Sequence, residues 1–334
     1  MSAYQLFSDA TLDLPHTTIE ELDIQVIPMH FDLAENSYRH FEDERELSLE
    51  EFYRQLRAGA PAVTSQITPV VYEDLFEPVL QAGQDILYIA FSSGLSGTVN
   101  NAMLMAGQLE EKYPGRRVVV IDSLCASIGE GLLVYYAAKK RLEGLSLEAL
   151  AAWVMEYRTR VAHWFTVDDL NHLKRGGRIS AVEAIVGTAL NIKPILSVDG
   201  EGKLTVMAKV RGSRKALEYV LSRLSAEGKD LEGQTAIVAH ADNPADAETL
   251  ADLVRQTGLV KDVLISKIGP IIGTHTGAGM TALVFLKYST PGGPARREFS
   301  MAVYRRGSIE ADTMPYSPKR ASPVARKDIG DRDL

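Results

Sequence analysis

The stretch DILYIAFSSGLSGT, residues 85–98, predicts a buried strand, a tight turn and the start of a helix. Residues 86–91 form an apolar run, which is typical of a strand buried on both faces. Residues 92–98 are small and hydroxyl-rich, and a helical stripe follows at Val99, Ala102, Met103, Ala106 and Leu109. Backbone N–H groups and the positive helix end would point outward, which predicts an anion site at the carboxyl end of a strand. A helix cap with glycines for a tight corner accounts for the same residues.

Strand and helix patterns alternate along residues 1–160. This alternation predicts an N-terminal α/β domain, a doubly wound parallel sheet with helices on both faces. Within it, residues 24–31 are predicted as one strand, residues 36–47 as a surface loop and residues 64–66 as a loop between helices. Residues 161–288 combine helices with a hairpin around the turn DGEG at 199–202. They predict a C-terminal α+β domain with a mixed or antiparallel sheet, including a helix at 181–188.

Residues 289–334 differ in composition from the rest of the chain. They hold five of the 14 prolines, with nine Lys and Arg residues against six Asp and Glu. Residues 298–306 have the pattern of an added strand, whereas the Pro-rich and charged sequence from residue 307 onward is typical of disorder. We therefore predict a Pro-rich charged tail that is partly disordered.

Composition limits the classes of function. The chain of 334 residues is 46% hydrophobic and carries a net charge of −8, which argues against nucleic acid or an anionic membrane as the main partner. It has a single cysteine, Cys125, so an internal disulfide is excluded and a cytoplasmic location is expected. The N-terminus shows no signal-peptide pattern, and no apolar run approaches the ~18 residues of a membrane span.

Several catalytic motifs are missing from the sequence. There is no GxxxxGK[ST] loop for ATP and no CxxC or HExxH pattern, so neither a bound cofactor nor a metal is expected. Residues 277–282 match GxGxxA, but they precede a strand rather than a helix, so the dinucleotide interpretation fails. Neither Ser93 nor Ser96 lies in a GxSxG elbow, which disfavours a serine hydrolase.

The segment GPIIGTHTGAG, residues 269–279, is unusually rich in glycine. Such density between two strands predicts a tight backbone path, plausibly against a ligand. His275 lies in the middle and is a candidate donor to an anion, although a surface histidine in a glycine turn fits the segment as well.

Taken together, the motifs resemble the DegV family, which includes the fatty-acid-binding subunits of bacterial fatty acid kinase. The matching segments follow the family's order over residues 4–288: SDATLDLP (8–15), TSQ (64–66), SSGLSGT (92–98), VVID with its following serine (119–123), RGGRIS (175–180), IKPIL (192–196) and GPIIGTHTGAG (269–279). The family usually has Pro where this chain has Ile67 and Ala278. Neither difference removes a polar group.

The resemblance implies that the chain binds one long-chain fatty acid, similar to palmitate or oleate, and is not itself an enzyme. The carboxylate would lie at the junction of two domains and the acyl chain in an apolar tunnel. Carried over by motif, the carboxylate contacts fall on Thr64, Ser93 and His275, with the backbone of Gly94 as a helper. A separate ATP-dependent kinase subunit would phosphorylate the bound acid for phospholipid metabolism. The resemblance gives Arg175 and Arg178 as the docking surface for that kinase.

Two alternatives remain open at this stage. One is an acyl hydrolase that uses Ser93 and His275, for which the sequence singles out neither an orienting acid nor an oxyanion hole. The other is a regulatory lipid-binding protein that has no kinase partner.

Overall fold

Strands and helices alternate along the chain in the computed structural model, which describes residues 4–168, 170–180 and 191–288. The strands are β1 (Tyr4–Asp9), β2 (Gln25–Ile27), β3 (Met29–Leu33), β4 (Asn36–His40), β5 (Ala62–Thr64), β6 (Asp85–Ala90), β7 (Val118–Asp122), β8 (Val161–Thr166), β9 (Ile192–Val198), β10 (Leu204–Arg211), β11 (Thr235–His240), β12 (Asp262–Lys267) and β13 (Thr281–Leu286). The helices are α1 (His16–Glu21), α2 (Leu49–Arg57), α3 (Pro69–Gln81), α4 (Thr98–Lys112), α5 (Ile128–Leu142), α6 (Leu147–Tyr157), α7 (Asn171–Arg175), α8 (Ser213–Glu227), α9 (Pro244–Gln256) and α10 (Pro270–Thr276). The predicted helix at 181–188 and the predicted tail at 289–334, with its strand at 298–306, lie outside the described residues.

Four strands form a parallel sheet in the order β2-β1-β6-β7, which confirms the predicted doubly wound arrangement. Helices α3 and α4 pack against each other and against this sheet, and α5 and α6 form a second such pair. Every residue of β6 after Asp85 is buried, because this central strand is covered by its neighbours and by helices. The strand order reverses between β1 and β6. In such sheets, ligands bind in the crevice at the carboxyl ends of the strands that flank the reversal.

A mixed sheet of six strands follows in the order β10-β9-β8-β13-β11-β12, as the sequence predicted. Strands β9 and β10 form the predicted antiparallel hairpin. One face packs against α8 and α9 through Trp164, Leu283 and Phe285. The opposite face contributes Phe165 and Val284 to a hydrophobic core that also contains the parallel sheet. The two sheets therefore share one core, and a cavity between them has apolar walls on both sides.

A small antiparallel sheet, ordered β4-β3-β5, corrects three predictions for the first half of the chain. The single strand predicted at 24–31 is divided into β2 and β3, because Pro28 lies between them and has no N–H for a ladder. The predicted surface loop at 36–47 begins with β4, which completes a hairpin with β3. Thr64 ends β5 instead of lying in a loop, because β5 pairs with β3.

Two other local predictions are also corrected. Met103 does not belong to the buried stripe of α4, because its side chain is 38% exposed whereas Met105 is 6% exposed. The predicted tight backbone path at 269–279 is largely helical, which the sequence pattern did not indicate. Most of it forms α10, which has Pro270 at its first position, where a missing N–H costs nothing.

The carboxylate of Asp13 links the loop after β1 to two other elements. It accepts hydrogen bonds from the Ser127 hydroxyl (2.5 Å), just before α5, and from the Gly269 N–H (2.8 Å), just before α10. Burial raises the pKa of Asp13 to about 7, and these two hydrogen bonds only partly oppose the shift. Asp13 therefore fixes the start of the helix that carries His275, while holding a proton below neutral pH.

We predict that Asp13 contributes more to stability at about pH 5.5 than at about pH 8. An unfolded Asp13 loses its proton near 3.8, whereas the folded one keeps it until about 7. Its contribution therefore falls as pH rises through this window, by about 4 kcal/mol at most at ~1.4 kcal/mol per pKa unit. Melting temperatures of the unmodified protein and of Asp13→Asn across this range isolate the contribution, and the variant should lose less stability, or gain more, as pH rises. Asp74→Asn, at an exposed position of α3, is the matched control and should leave the slope unchanged.

Candidate binding cavity

The turn after β6 is built around Ser92. The Ser92 hydroxyl is buried and donates to the Gly202 carbonyl (2.8 Å), and it accepts from the Gly94 N–H (3.1 Å). A Cβ atom at Gly94 would lie 2.7 Å from the Glu201 carbonyl oxygen. The apex of the turn is thus packed on the β9–β10 hairpin, and glycine is required there because backbone occupies the space of a side chain.

The structure does not bring Ser93 or Gly94 to the cavity. Ser93 is exposed, and its N–H donates to the Asp122 carboxylate (3.1 Å). Leu95 and Ser96 line the cavity instead. The Ser96 hydroxyl lies 2.9 Å from the Thr98 hydroxyl and accepts from the Thr98 N–H (3.3 Å). Ser96 is therefore the serine of the predicted anion-binding turn that faces the cavity.

The cavity lies between the mixed sheet, the start of α5 and α10. About 90 Å³ of it is open to the centre of a water molecule, several times the ~10–15 Å³ that one water requires. Most of the lining side chains are apolar: Met29, Phe91, Leu95, Ala126, Ile128, Trp164, Phe165, Leu173, Val198, Leu204, Ile271, Ile272, Met280, Ala282 and Val284. The polar lining residues are Thr11, Thr64, Ser65, Gln66, Ser96, Ser127, His163, Arg178, His275 and Thr276. An apolar wall with few polar groups is typical of a small-molecule site.

Thr64 and His275 meet at one polar part of this cavity. The Thr64 hydroxyl is 2.9 Å from His275 Nε2, so the structure brings these two predicted carboxylate contacts together. Burial first, and then the charge of Arg178, lower the pKa of His275 to about 4, so the ring is neutral at pH 7. When Nε2 carries the proton, it donates to Thr64, whose own proton is then free for a ligand oxygen. Ser65 and Gln66 beside them line the cavity and are exposed to solvent. The part of the cavity around Thr64 and His275 is therefore its mouth.

Arg178 lies on the cavity wall beside His275 rather than only on the surface proposed for a kinase. It is half-buried, and its Nε–H donates to the Leu95 carbonyl (3.2 Å) while Nη1 donates to the Gly176 carbonyl. Burial lowers the pKa of its guanidinium. Arg178 forms no ion pair with any residue in the described part of the chain. The mouth of the cavity therefore has a partly desolvated positive charge. Arg175 is exposed, with Nη2 3.1 Å from His172 Nδ1.

Gly176 and Gly277 allow the segment that carries Arg178 to pack closely against α10. A Cβ atom at Gly176 would lie 2.2 Å from His275 Nδ1, and one at Gly277 would lie 2.7 Å from the ring of His172. Gly277 also has φ +74°, in the left-handed region that favours glycine. The backbone of residues 175–178, the basic turn, is thus pressed against the His275 ring, and Gly277 of the glycine-rich segment packs against His172 of α7.

Two fully buried carboxyl groups lie behind Thr11, on another part of the wall. The Thr11 hydroxyl is 2.6 Å from Asp9 Oδ1 and 2.8 Å from Glu130 Oε2. Because one hydroxyl has one proton, both contacts are hydrogen bonds only when one carboxyl is protonated. Burial and the charge of Asp9 raise the pKa of Glu130 well above its usual range, and Asp9 accepts a further bond from Tyr88 (2.7 Å). Burial also raises the pKa of Asp9, but hydrogen bonds from Thr11, Tyr88 and the Phe91 N–H oppose that shift, so Glu130 is the member that holds a proton more readily.

Residues 4–168, 170–180 and 191–288 contain neither a candidate metal site nor a helix that could cross a membrane. No group of three or more His, Cys, Asp or Glu side chains there has the arrangement of a metal site. No helix in that part of the chain has the length and apolar character needed to cross a bilayer.

Comparison with known proteins identifies the family. The DegV family model, described as uncharacterised proteins, matches residues 3–288. A DegV domain-containing protein of Clostridium perfringens is 41% identical over 286 residues, which cover 86% of this chain and 98% of that protein. A relative from Lactococcus lactis is 35% identical and covers 84% of this chain and 96% of its own length. The chain therefore belongs to the DegV family.

Solved structures show the same fold. A DegV-family protein of Thermus thermophilus, described as fatty acid binding, is 32% identical with a TM-score of 0.77 over 86% of this chain and 100% of its own. DegV of Bacillus subtilis, described as a fatty acid binding protein, is 27% identical with a TM-score of 0.74 over the same shares of the two chains. Two DegV proteins of this fold are thus described as binding fatty acids.

We predict that Arg178→Gln raises the pKa of His275, because it removes the second cause of the present depression while burial remains. Titration of the His275 Cε1 proton by NMR between about pH 4.5 and 8 measures this directly. The ring should stay neutral in the unmodified protein and begin to titrate in the variant. Arg175→Gln, which changes an exposed arginine of the same segment, should have no effect. A His275 that titrates near 6.5 in the unmodified protein would contradict the geometry.

Proposed function

We propose that this protein binds one long-chain fatty acid, with the carboxylate at the mouth of the cavity and the acyl chain along its apolar wall. One observation carries the proposal: Arg178 is a partly desolvated cation without an ion pair in the described residues, beside the Thr64–His275 pair. A carboxylate supplies the missing negative charge and accepts from several donors at once. The similarity to fatty-acid-binding relatives from Thermus thermophilus and Bacillus subtilis supports the same ligand.

The carboxylate contacts in this proposal are Arg178, Thr64, His275 and Ser96. Ser96 takes the place that the sequence motif suggested for Ser93 and Gly94, because Ser96 lines the cavity and Ser93 is exposed. The acid pair behind Thr11 favours the same orientation, since the single Thr11 hydroxyl proton is already engaged by the carboxyl groups of Asp9 and Glu130 and is not free for a ligand carboxylate.

The acyl chain and the carboxylate contribute differently to the free energy of binding. Transfer of roughly sixteen carbons from water at ~0.8 kcal/mol per CH₂ gives a gross gain on the order of 12 kcal/mol. Ordering the chain and losing translational freedom offset several of these. The apolar wall therefore supplies most of the affinity, and the polar mouth decides which end of the acid faces solvent.

We further propose that the protein is a non-catalytic carrier that presents the exposed carboxylate to an ATP-dependent kinase subunit for acyl-phosphate formation. The sequence has no phosphate-binding loop for ATP, so the phosphoryl donor would bind elsewhere. Lys174 and Arg175 are exposed beside Arg178 and are the proposed docking residues. The hydrolase alternative needs Ser93 and His275 on one substrate, and only His275 lines the cavity.

The test starts from protein produced in bacteria, which should co-purify with about one fatty acid per chain by native mass spectrometry. Arg178→Gln, Ser96→Ala and Thr64→Val each remove a donor to a charged partner, worth about 1.5–3 kcal/mol, so each should weaken binding at least tenfold. Ser93→Ala is the matched control from the same turn and should bind as tightly as the unmodified protein.

Arg175→Ala tests kinase docking separately from fatty acid binding. It should keep its bound acid and lose acyl-phosphate formation with kinase and ATP. Protein that contains no acid and fails to bind added palmitate or oleate would refute the binding proposal. Full turnover by Arg175→Ala would refute the docking assignment, whereas the absence of any kinase that acts on the complex would leave a lipid-binding regulatory protein.

A further inference from the structure

Asp9, the last residue of β1, has a fully buried carboxylate that is surrounded by hydrogen-bond donors. Oδ1 accepts from the Thr11 N–H (3.1 Å) and the Thr11 hydroxyl (2.6 Å), and Oδ2 accepts from the Tyr88 hydroxyl (2.7 Å) and the Phe91 N–H (3.2 Å). A carboxylate has about four acceptor positions, so these four donors occupy all of them. Asp9 therefore connects the loop after β1 to the end of β6.

The hydrogen bond to Phe91 fixes the start of the turn at residues 92–98. The ladder of β6 ends at Ala90, and the N–H of Phe91 beyond it donates to Asp9 instead. A buried N–H needs such a partner, because leaving it without one costs as much as a lost hydrogen bond. The backbone thus enters the turn at a position that Asp9 determines.

The end of the same turn is held through two buried tyrosines. Burial raises the pKa of Tyr72 on α3 and of Tyr88 on β6, so both hydroxyls keep their protons at neutral pH. The Tyr88 proton points to Asp9, since a carboxylate is a stronger acceptor than a phenol oxygen. The Tyr72 proton therefore lies between the Tyr88 oxygen (3.3 Å) and the Thr98 carbonyl oxygen (3.2 Å). Thr98 is the first residue of α4, so this contact fixes where the turn ends.

Ser96 connects these hydrogen bonds to the ligand site. Its hydroxyl lies 2.9 Å from the Thr98 hydroxyl and accepts from the Thr98 N–H (3.3 Å), so the position of Thr98 determines that of the Ser96 hydroxyl. Ser96 lines the cavity, whereas Asp9 and Tyr72 lie outside its lining. A change at Asp9 or Tyr72 would thus affect a ligand through the turn and not by direct contact.

We propose that Asp9 and Tyr72 are positioning residues of the carboxylate site, which hold the two ends of the turn and so place the Ser96 hydroxyl for the carboxylate. This inference rests on the proposed function and specifies which residues give the site its preference for a carboxylate over an uncharged head group. The acyl chain contacts the apolar wall, which these two residues do not form. Loss of either set of hydrogen bonds should therefore weaken recognition of the head group and leave burial of the chain unchanged.

The experiment compares palmitic acid with hexadecan-1-ol, which has the same chain length and an uncharged head group, on delipidated full-length protein. Tyr72→Phe removes one hydroxyl and keeps the ring in its place in the core. It should weaken binding of the acid about three- to tenfold, the effect of one hydrogen bond, and change binding of the alcohol less than twofold.

Tyr4→Phe is the matched control. The Tyr4 hydroxyl is also buried and donates to a backbone carbonyl, that of Leu145 (2.8 Å), but it lies at the opposite end of β1 from Asp9. This variant should change neither affinity.

A double-mutant cycle tests whether Tyr72 acts through Ser96. In a Ser96→Ala background, Tyr72→Phe should cost no further affinity for palmitic acid, because the hydroxyl that Tyr72 places is already absent. Asp9→Asn should lower the preference for the acid over the alcohol in the same way, since an amide cannot accept from N–H donors on both of its sides. If Asp9→Asn does not fold, the Tyr72→Phe cycle decides the question.

Three results would overturn the inference while fatty acid binding stands. They are a Tyr72→Phe variant that weakens acid and alcohol equally or weakens neither, a loss that persists in the Ser96→Ala background, and a folded Asp9→Asn variant that keeps the full preference for the acid. Failure of the unmodified protein to bind palmitic acid would refute the proposed function and this inference with it.

Discussion

A partly buried positive charge without a described counter-ion is the constraint around which this site is arranged. Arg178 donates to two backbone carbonyls, which orient the guanidinium but leave its charge uncompensated. The same charge helps keep His275 neutral, so that the ring acts through hydrogen bonds and not as a second cation. Burying a charge without a partner is costly, and an anionic ligand removes that cost. The proposed fatty acid fits both features, since its carboxylate would meet the cation and its hydrocarbon chain would meet the apolar wall.

The rest of the fold positions this charge and the wall behind it. Reversal of the strand order in the parallel sheet opens a crevice at the ends of β1 and β6, and the mixed sheet closes it with an apolar face. Asp13 fixes the start of α10 through Gly269, and α10 presents His275. Gly176 then lets the basic turn lie directly on the His275 ring. The position of α10, the His275 ring and Arg178 are thus linked through a series of contacts. One contact needs the carboxyl group of Asp13, and another needs the missing side chain of Gly176.

Local patterns predicted the architecture well, because periodicity and turn residues are properties of neighbouring positions. The alternation of strands and helices and the hairpin around 199–202 agree with the structure. The choice between Ser93 and Ser96 depends on how one turn packs against a hairpin more than a hundred residues later, which no local pattern encodes. The position of Arg178 on the wall likewise depends on its contact with Leu95. No local pattern marks His163 as a residue of the cavity wall, since a single histidine in an apolar strand does not show where its ring lies.

The orientation of the bound acid tests this account most directly. A crystal structure of the protein with a long-chain acid that carries bromine on its terminal carbon would locate both ends, since anomalous scattering identifies the bromine. The account predicts a carboxylate oxygen about 2.7–2.9 Å from the Arg178 guanidinium and within reach of Thr64, with the bromine deep in the cavity beyond Phe165. Bromine at the mouth with the carboxylate buried, or an acid bound outside the cavity, would contradict it.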